Sequence, residues 1–470
     1  MNSLIKIAGA LLAALQWCSA TLFCAELPHN ITVRPWREYQ TLESFGTSGC
    51  WWPQTIGDEA MAGEIARALY APEGLDLSVY RYNVGGGEAD NPACRIWERA
   101  RRTESFYVYN EQAQAYEYDF TRDANARRML DKAIAQGAEQ VILFCNSPHF
   151  SMTASGQASG GLEANASNLP KENYQAFVDY LLTIADWFVA QGYPIAGISP
   201  INEPQWGWGG DWVGQEGCHY TARETVELLE LFAVTMKARG VSYTLVGPES
   251  GELTKNYNDY IDLFWRSDIL NEFCDSYAGH SYWMDNDLWR KWRSGTRFRL
   301  RYPDKKFEMS EWCELPMRLD AMSIDSGLYK ANIIIQDLTL LNAVSWSSWT
   351  AVNGDGVLDL KDGELIYHSR YWAYKQFTNF IRPGAVRVKL SDSFGLASQL
   401  ASVAFQQDGE IVLVIVNNAE KEERVKLRGD YSAVKGYTTD ETRGCELTYE
   451  GPMAPEYLLP ARSVSTLILT

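Results

Sequence analysis

Glu203 is the first residue whose type and position indicate chemistry. It ends a short apolar run and stands in the sequence Asn202-Glu203-Pro204. Pro204 lacks a backbone donor, so we expect the strand to stop near Glu203. A carboxylate just past the C-terminal end of a barrel strand points into the mouth, where such folds place their catalytic groups. Capping of the next turn is the plainer role, but a ligand site is favoured by three nearby tryptophans, Trp206, Trp208 and Trp212.

A second carboxylate is expected at the end of another strand. Glu311 directly follows the strand candidate Lys306–Ser310. Glu308 lies two residues earlier, so it shares a face with the strand end but lies deeper in the barrel, and a structural role suits it. Glu314 lies further along the loop and competes with Glu311 for the assignment.

Two carboxylates that face each other across a barrel mouth fit retaining glycoside hydrolysis. In that reaction one carboxylate attacks the anomeric carbon while the other donates and then takes a proton, which requires a separation of about 5–5.5 Å. Inversion through an intervening water requires roughly 6.5–9.5 Å. The proton donor needs an environment that raises its pKa, and the nucleophile needs a cation or hydroxyl donors nearby.

Strand and helix patterns alternate between residues 42 and 383, which predicts a (β/α)₈ TIM barrel. Parallel strands buried on both faces should be short and apolar, as in Val141-Ile-Leu-Phe144. The eight strand candidates are Phe45–Thr47, Leu77–Asn83, Gln140–Cys145, Ala196–Pro200, Tyr243–Gly247, Ser276–His280, Lys306–Ser310 and Ala343–Trp349. The helical stretches are Glu59–Tyr70, Ala124–Gln136, Glu172–Gln191, Ala222–Arg239, Asn256–Glu272, Asp287–Arg297, Ser323–Leu341 and Tyr367–Ile381.

The pattern changes to period-two alternation after Gly384. Asp408-Gly409 predicts a tight hairpin turn between two such segments. Residues 384–470 are therefore expected to form an attached antiparallel β-sandwich side domain. Residues 27–41, which precede the barrel in the sequence, are expected to complete it. A module built from both ends of the chain is predicted to be clamped to the barrel and not tethered to it.

Composition excludes several classes of partner. The 470-residue chain has a net charge of −18, which argues against nucleic acid and anionic membrane as partners. Its 17 Trp and 26 Tyr suit stacking on the apolar faces of sugar rings, although core packing also uses them. Basic residues cluster in Arg290–Arg293 and Arg297–Arg301, where a solvated helix face or a contact with an acidic sugar is expected.

Residues 1–20 resemble a secretory signal peptide, with a charged Lys6 followed by an apolar run too short to span a bilayer. We therefore expect a secreted protein, extracellular or periplasmic, without a membrane span. The nine cysteines form no C-x-x-C pair, and the five histidines show no ligand spacing. No metal site and no cofactor are predicted.

The motifs together resemble glycoside hydrolase family 30, within the clan of retaining (β/α)₈ glycosidases. Asn202-Glu203-Pro204 resembles the clan's acid/base motif, and Met309-Ser-Glu-Trp312 resembles its nucleophile strand end. The stretch Tyr371–Gly384 resembles the family's passage from the last helix into its side β-domain and is the most family-specific run. One departure is Ser44, where the family often has glycine.

The resemblance implies roles for individual residues. Glu203 would be the acid/base and Glu311 the nucleophile. Asn202 would bond the sugar 2-hydroxyl, and Arg81 would keep Glu311 ionised, or form a structural ion pair inside the barrel. The remaining candidates for substrate binding are His280, Tyr282, Trp349, Trp206, Trp208 and Trp52, with Trp51 beside them; each tryptophan could instead be ordinary packing.

Three further motifs are most similar to the endo-β-1,6-galactanase-like branch of that family: Phe45–Trp52, Tyr80–Gly87 and Gln215–His219. The expected substrate is accordingly a β-linked oligo- or polysaccharide, with β-1,6-galactan first. Sister branches supply the alternatives, namely glucosylceramidase, β-1,6-glucanase and xylanase activities. A sugar-binding protein that has kept the barrel and lost turnover is the alternative from another functional class.

Overall fold

A computed structural model describes residues 28–253, 257–285, 287–315, 319–392 and 399–470. The predicted signal peptide, residues 1–20, lies outside these ranges. Two large sheets organise the molecule, one of parallel strands and one formed by both ends of the chain. In the described part of the chain, no helix is both long and apolar enough to cross a membrane.

The strands are listed here in chain order. The first twelve are β1 (His29–Thr41), β2 (Ser44–Gly49), β3 (Val79–Asn83), β4 (Tyr107–Asn110), β5 (Ala115–Tyr118), β6 (Gln140–Phe144), β7 (Ile195–Ser199), β8 (Thr244–Leu245), β9 (Pro248–Ser250), β10 (Ser276–His280), β11 (Lys306–Trp312) and β12 (Ser345–Thr350). The other ten are β13 (Leu358–Lys361), β14 (Glu364–Tyr367), β15 (Val386–Asp392), β16 (Leu400–Gln407), β17 (Glu410–Asn417), β18 (Glu423–Arg428), β19 (Ala433–Thr439), β20 (Glu446–Pro452), β21 (Tyr457–Leu459) and β22 (Ser463–Leu469).

Nine α-helices and two π-helical turns are found among the described residues. The helices are α1 (Glu59–Tyr70), α2 (Ala124–Gln136), α3 (Tyr174–Ala190), α4 (Ala222–Arg239), α5 (Asp262–Arg266), α6 (Asp268–Phe273), α7 (Leu288–Arg301), α8 (Ile324–Gln336) and α9 (Ser369–Thr378). The predicted single helix Asn256–Glu272 is wrong: a π-helical turn, Tyr257–Ile261, precedes the two short helices α5 and α6. Ser267 divides these helices because its hydroxyl caps the N-terminus of α6.

The parallel sheet closes into the predicted barrel. Its order is β8-β7-β6-β3-β2-β12-β11-β10-β9. The two edge strands, β8 and β9, are consecutive pieces of one stretch of chain, so they complete the circle as a broken fifth strand. The prediction of a continuous strand over Tyr243–Gly247 is wrong, because the chain turns at Gly247 and resumes at Pro248.

The barrel helices obey simple sequence rules at their ends. Helix α4 begins with a capping box, in which the side chains of Thr221 and Glu224 each accept from the other's backbone N–H. It ends at Gly240, which takes the left-handed conformation that glycine adopts without steric cost. Helix α3 presents a buried apolar face from Phe177 to Phe188 to the strands. These helices fix the strand ends from which the cavity is built.

The side domain is a nine-stranded arrangement in the order β20-β19-β22-β17-β16-β15-β1-β18-β21. Strand β1 lies in its interior, antiparallel to β15 and parallel to β18, so the sandwich has one parallel pair among its antiparallel ones. One face of the domain encloses its own apolar core, which includes Leu413 and Val425. The other face packs against α8 and α9, and Phe405 and Val414 there join the barrel core.

Candidate active site

A cavity of about 910 Å³ opens at the C-terminal ends of the barrel strands. Glu203 and Glu311 both line it. An oxygen of one carboxylate lies within 4.8 Å of an oxygen of the other, and His280 lies between them. The structure therefore brings the two predicted carboxylates together in one pocket.

Glu203 is held in an unusual backbone conformation just past β7. Its φ is +46°, a left-handed value that costs a non-glycine residue on the order of 1–3 kcal/mol. The backbone compensates with hydrogen bonds: Glu203 donates its N–H to the carbonyl of Glu249 at 3.0 Å, and the carbonyl of Glu203 accepts from the indole of Trp208 at 3.0 Å. The carboxylate is thus aimed at the cavity by its backbone and not by a flexible side chain alone.

Glu311 lies on β11, which extends one residue beyond it to Trp312. Three donors surround its carboxylate: the Tyr282 hydroxyl at 3.0 Å, the Arg81 guanidinium at 3.3 Å and the His280 ring at 3.6 Å. Arg81 is buried, and its guanidinium also lies 4.3 Å from the Phe144 ring centroid. These donors stabilise a negative charge on Glu311.

Glu308, for which a structural role was expected, and Glu314, the competitor of Glu311, have other contacts. Glu308 accepts a hydrogen bond from Ser276 on the neighbouring strand. Glu314 accepts from the Ser326 hydroxyl at 2.7 Å and from the backbone N–H of Leu319 at 2.8 Å, so it fastens the loop after β11 to helix α8. Glu311 is therefore the carboxylate of this strand that faces Glu203.

His280 connects three carboxylates. Its Nδ1 lies 3.2 Å from Glu203 and its Nε2 lies 3.2 Å from Glu249. Burial lowers the pKa of His280, but the carboxylates of Glu311, Glu203 and Glu249 outweigh burial and raise the pKa to about 10. The ring is therefore an imidazolium at neutral pH, with both nitrogens donating.

Glu249 is a charged residue of the site that the sequence interpretation missed. It is fully buried in the middle of the short strand β9, where its carboxylate accepts from Arg81 at 2.8 Å and from Ser199 and His280. Burial raises the pKa of Glu249, but Arg81, His280 and Ser199 outweigh it and hold the pKa well below its usual range. The signal was available, because Glu249 follows the fifth strand candidate as Glu203 follows the fourth.

The two facing carboxylates differ in what stabilises their charge. Burial and the neighbouring carboxylates of Glu203 and Glu249 raise the pKa of Glu311, while His280 and Arg81 oppose this rise. Three donors lie within 3.6 Å of Glu311, whereas among the residues that the structure describes only His280 is recorded as a donor to the Glu203 carboxylate, whose side chain is more exposed, at 18% against 5%.

Glu203, His280 and Glu311 also satisfy the distances of a three-ligand metal site. A metal requires a neutral imidazole nitrogen with a free lone pair. Both nitrogens of His280 face carboxylates instead, and its raised pKa keeps the ring protonated. The chemistry of this donor set thus fits an acid–base site better than a metal centre.

Asn202 lies beside Glu203 and lines the same cavity. Its amide nitrogen donates to Asn146 at 3.2 Å, while its buried carbonyl oxygen has no hydrogen-bond partner among the described residues. Gln205, which the sequence interpretation did not select, also lines the cavity and has a buried carbonyl oxygen without a described partner. Both oxygens can accept a hydroxyl hydrogen bond from a ligand.

The predicted tryptophans occupy different positions. Trp349 and Trp52 line the cavity as buried walls, and Trp349 meets Trp51 edge-to-face at 5.5 Å. Trp206 lies at the rim, 47% exposed, and is stacked on Trp283 with a centroid separation of 6.5 Å and an interplanar angle of 6°. Trp208 is only 3% exposed and packs on Gly217, so it supports the Glu203 loop more than it offers a platform.

Two buried carboxylates anchor the loops above the cavity. Glu216 accepts from the backbone N–H of Gly86 at 3.1 Å and from the Thr103 hydroxyl, which joins the loops after β3 and β7. Burial raises the pKa of Glu216 to about 8. Glu88 accepts from the backbone N–H of Ala158 and joins the loop after β6 to the same assembly.

Comparison with known proteins identifies the family of this scaffold. The profile of O-glycosyl hydrolase family 30 matches residues 28–307, and that of the family's β-sandwich domain matches residues 384–467. An endo-β-1,6-galactanase from Hypocrea rufa is 25% identical over 380 residues, which cover 76% of this chain and 75% of that protein. These matches favour a glycosidase over the alternative of a binding protein without turnover.

Solved structures carry the same fold. A conserved exported protein from Bacteroides fragilis superposes with a TM-score of 0.84 at 24% identity, covering 93% of this chain and 99% of that one. The catalytic domain of xylanase C from Talaromyces cellulolyticus gives a TM-score of 0.71 at 19% identity, covering 94% and 100%. The barrel, the sandwich and the matches over both show that this chain belongs to glycoside hydrolase family 30 and is a glycosidase.

Proposed function

We propose that the protein is a retaining β-glycosidase in which Glu311 is the nucleophile and Glu203 the acid/base. The observation that carries this proposal is the approach of the two carboxylates to within 4.8 Å, measured between oxygens. Retention requires carboxyl groups about 5–5.5 Å apart, whereas inversion requires roughly 6.5–9.5 Å. The unequal donors around the two groups support the division of roles.

The reaction proceeds in two balanced steps. Glu311 attacks the anomeric carbon, the glycosidic bond breaks, and the departing oxygen takes the proton of Glu203. Water then gives a proton to Glu203 and attacks the same carbon, which releases Glu311. His280 donates toward both carboxylates throughout, so it offsets the charge that moves between them.

The proposed substrate is a β-1,6-linked galactan, cleaved within the chain. The support is the similarity to the Hypocrea rufa endo-β-1,6-galactanase over three quarters of both chains. The rim tryptophans suit a polymer that extends beyond the catalytic subsite. The fold is also similar to that of a xylanase and of an endo-β-1,6-glucanase, so a glucuronoxylan and a β-1,6-glucan are the alternative substrates for the test.

The test combines products with stereochemistry. Purified protein is incubated with β-1,6-galactan, β-1,6-glucan, glucuronoxylan and a set of aryl β-glycosides, and the oligosaccharides released are identified. We expect galacto-oligosaccharides of mixed length, and proton NMR at early times should show a β-configured new reducing end. A first-formed α-anomer would overturn the retaining assignment, and cleavage of glucan or xylan alone would overturn the choice of galactan.

We also propose that residues 1–20 direct the chain to export, so that it meets its polysaccharide outside the cytoplasm. N-terminal sequencing of the protein recovered from the producing cell's extracellular or periplasmic fraction tests this. A mature chain that starts after Ala20 is the expected result. Recovery of the uncleaved chain from the cytoplasm would contradict it.

A further inference from the structure

Helix α7 concentrates positive charge that the proposed reaction does not use. Its 14 residues include five arginines, one lysine and no acidic residue, in a chain of net charge −18. Lys291 is buried against Asp337 at 2.8 Å. In the C-terminal half of the helix, Arg297 and Arg301 lie 3.1 Å and 3.0 Å from Asp262. The first half is different.

Arg290 and Arg293 have little internal compensation. Arg290 reaches Glu252 only at 3.9 Å, and the structure records no ion pair between Arg293 and any residue that it describes. Both are on the N-terminal half of α7, which starts at the cavity side of the barrel because barrel helices run back from the C-terminal ends of the strands. Two cations therefore remain available near the cavity mouth.

Two tryptophans accompany these cations. Trp289 and Trp292 are 68% and 42% exposed, and their rings stack with centroids 4.8 Å apart at 26°. Residues three and four apart share a helix face, so Trp289, Trp292 and Arg293 lie side by side. Large exposed aromatic rings on a soluble surface typically mark a binding site when they are grouped and accompanied by matching polar groups.

The surface is continuous with the rim of the cavity. Glu252, the weak partner of Arg290, lines the cavity itself. Trp283, which lies shortly before α7 in the chain, stacks on Trp206 at the same rim. A polymer that leaves the cavity over Trp206 and Trp283 would next reach α7.

We propose that the α7 platform, defined as Trp289, Arg290, Trp292 and Arg293, binds a carboxylate-bearing stretch of the polysaccharide. The indole faces would stack on the sugar rings, and the guanidinium groups would pair with uronate carboxylates in bidentate fashion. The idea depends on the proposed function only in that the substrate is a polysaccharide. It adds an acidic-sugar site outside the catalytic subsite.

A polysaccharide fits this surface better than a membrane does. A bilayer is broad and would meet much of the protein around α7, where the described surface outside the platform offers it no matching set of groups. A single sugar chain contacts only the platform. Arg293 between the aromatic residues and the apolar Leu300 also interrupts what would otherwise be a lipid-facing stripe.

The experiment measures binding in a background that cannot hydrolyse. In Glu311→Ala protein, binding is measured by calorimetry to polygalacturonate, to its fully methyl-esterified form and to polyglutamate. The first variant adds Trp289→Ala and Trp292→Ala, and the second adds Arg290→Gln and Arg293→Gln. The matched control adds Trp36→Ala and Arg37→Gln, which alters the same residue types at exposed positions of strand β1. Thermal unfolding verifies that every variant is folded.

We expect polygalacturonate to bind and each platform variant to weaken binding about tenfold or more, with the control unchanged. Esterification should weaken binding as much as the arginine changes do, and polyglutamate should bind poorly because it has no rings. Equal binding by platform variants and control would overturn the proposal. The proposal would also be overturned if the esterified polymer bound as tightly as polygalacturonate, or if the protein bound anionic phospholipid vesicles more tightly than polygalacturonate. Self-association that the tryptophan variant abolishes would overturn it as well. If wild-type protein cleaves no β-glycan, the proposed function is wrong, but the binding measurements still test the platform, because they do not depend on hydrolysis.

Discussion

The floor and the rim of the cavity are built in different ways. On the floor, Arg81, Glu249, His280 and Glu311 are buried on barrel strands, and each contacts at least two charged partners. At the rim, Trp206 and Trp283 lie on loops, nearly half exposed, and their rings stack on each other. The floor is thus a rigid set of paired charges, whereas the rim is an adaptable aromatic surface.

The difference teaches how the chemistry and the specificity are separated. Charges that must act on a transition state need fixed positions in a site with little water, and strands of a closed barrel provide them. Recognition of a sugar chain needs area and tolerance, and exposed rings on loops provide those. Changes on the floor should therefore affect turnover, and changes at the rim should affect binding of long substrates.

The largest effect is expected from Glu311→Ala, which removes the nucleophile. We expect kcat to fall by about 10⁴-fold or more, and azide should partly restore turnover and give a glycosyl azide of inverted configuration. The measurement is the initial rate of aryl glycoside hydrolysis. Glu314→Gln is the control, because Glu314 fastens a loop to helix α8; if that change abolished turnover and Glu311→Ala did not, the assignment would be reversed.

Glu203→Gln should come next, with a loss of roughly 10²- to 10⁴-fold on a polysaccharide. The leaving group of an aryl glycoside with an acidic phenol needs no proton, so its release should be much less affected. The comparison is the rate ratio between wild type and variant on the two substrate types. An equal loss on both would mean that Glu203 does not protonate the leaving oxygen.

Glu249→Gln should lower turnover by roughly 10- to 100-fold, because Arg81 and His280 lose the carboxylate that positions them. The pKa of His280, about 10 in the folded protein, should fall. Because the pKa of His280 is raised on folding, protonated His280 stabilises the fold. This contribution is complete at pH values below the pKa of histidine in the unfolded chain, about 6.5, and is lost as the pH rises through about 10. The variant should lose both activity and unfolding temperature at a lower alkaline pH than wild type. Glu249→Asp should restore part of the pH range, and unchanged pH profiles would contradict the positioning role.

Trp206→Ala and Trp283→Ala should have moderate effects that sharpen the contrast with the floor. KM for polysaccharide should rise about threefold to tenfold, with kcat nearly unchanged, because the rings contribute binding that is equal in ground and transition states. Trp36→Ala, at an exposed position on β1, is the control. A fall in kcat without a change in KM would show that the rim participates in the chemical step.

The smallest effect is expected from Glu216→Gln, which changes an anchor of the rim loops. Burial raises the pKa of Glu216 in the folded protein to about 8. Its protonation therefore contributes to folding stability in full below the ordinary carboxyl pKa, and this contribution is lost as the pH rises through about 8. Glutamine stays neutral. The variant's unfolding temperature should therefore decline less than that of wild type between pH 5 and pH 8, by calorimetry. If the unfolding temperatures of variant and wild type changed in parallel with pH, Glu216 would not be protonated in the folded protein.

The sequence was most informative where a strand ends. The boundaries Ser276–His280 were predicted as observed, and Asn202-Glu203-Pro204 marked the end of a strand because proline cannot continue the ladder. Glu249 was missed because its strand is split at Gly247 and the residues before Glu249 were treated as its end. Burial of a carboxylate depends on partners from distant strands, which no local pattern reveals.

Tryptophan exposure could not be predicted in the same way. Trp208 and Trp206 are two residues apart in the same loop, yet one is buried and the other is a rim surface. The reason lies in a residue further along the chain, Gly217, against which the Trp208 ring packs. A Cβ atom at position 217 would come within 2.2 Å of that ring, so the buried position of the indole depends on glycine there. Trp283 was overlooked as a stacking partner because its contact with Trp206 depends on two independent loops.

The insertion of β1 into the interior of the side sheet has a consequence for how this architecture can be recombined. The chain passes between the two bodies twice, and the two passages bond to each other: Leu42 donates to Ala385, and Gly384 donates to Leu42, both at 2.8 Å. A fragment of residues 384–470 would lack the strand that separates β15 from β18. The sandwich is consequently not an independent module that can be cut out as one segment. To transfer it to another enzyme, both passages, near Leu42 and near Gly384, would have to be exchanged together.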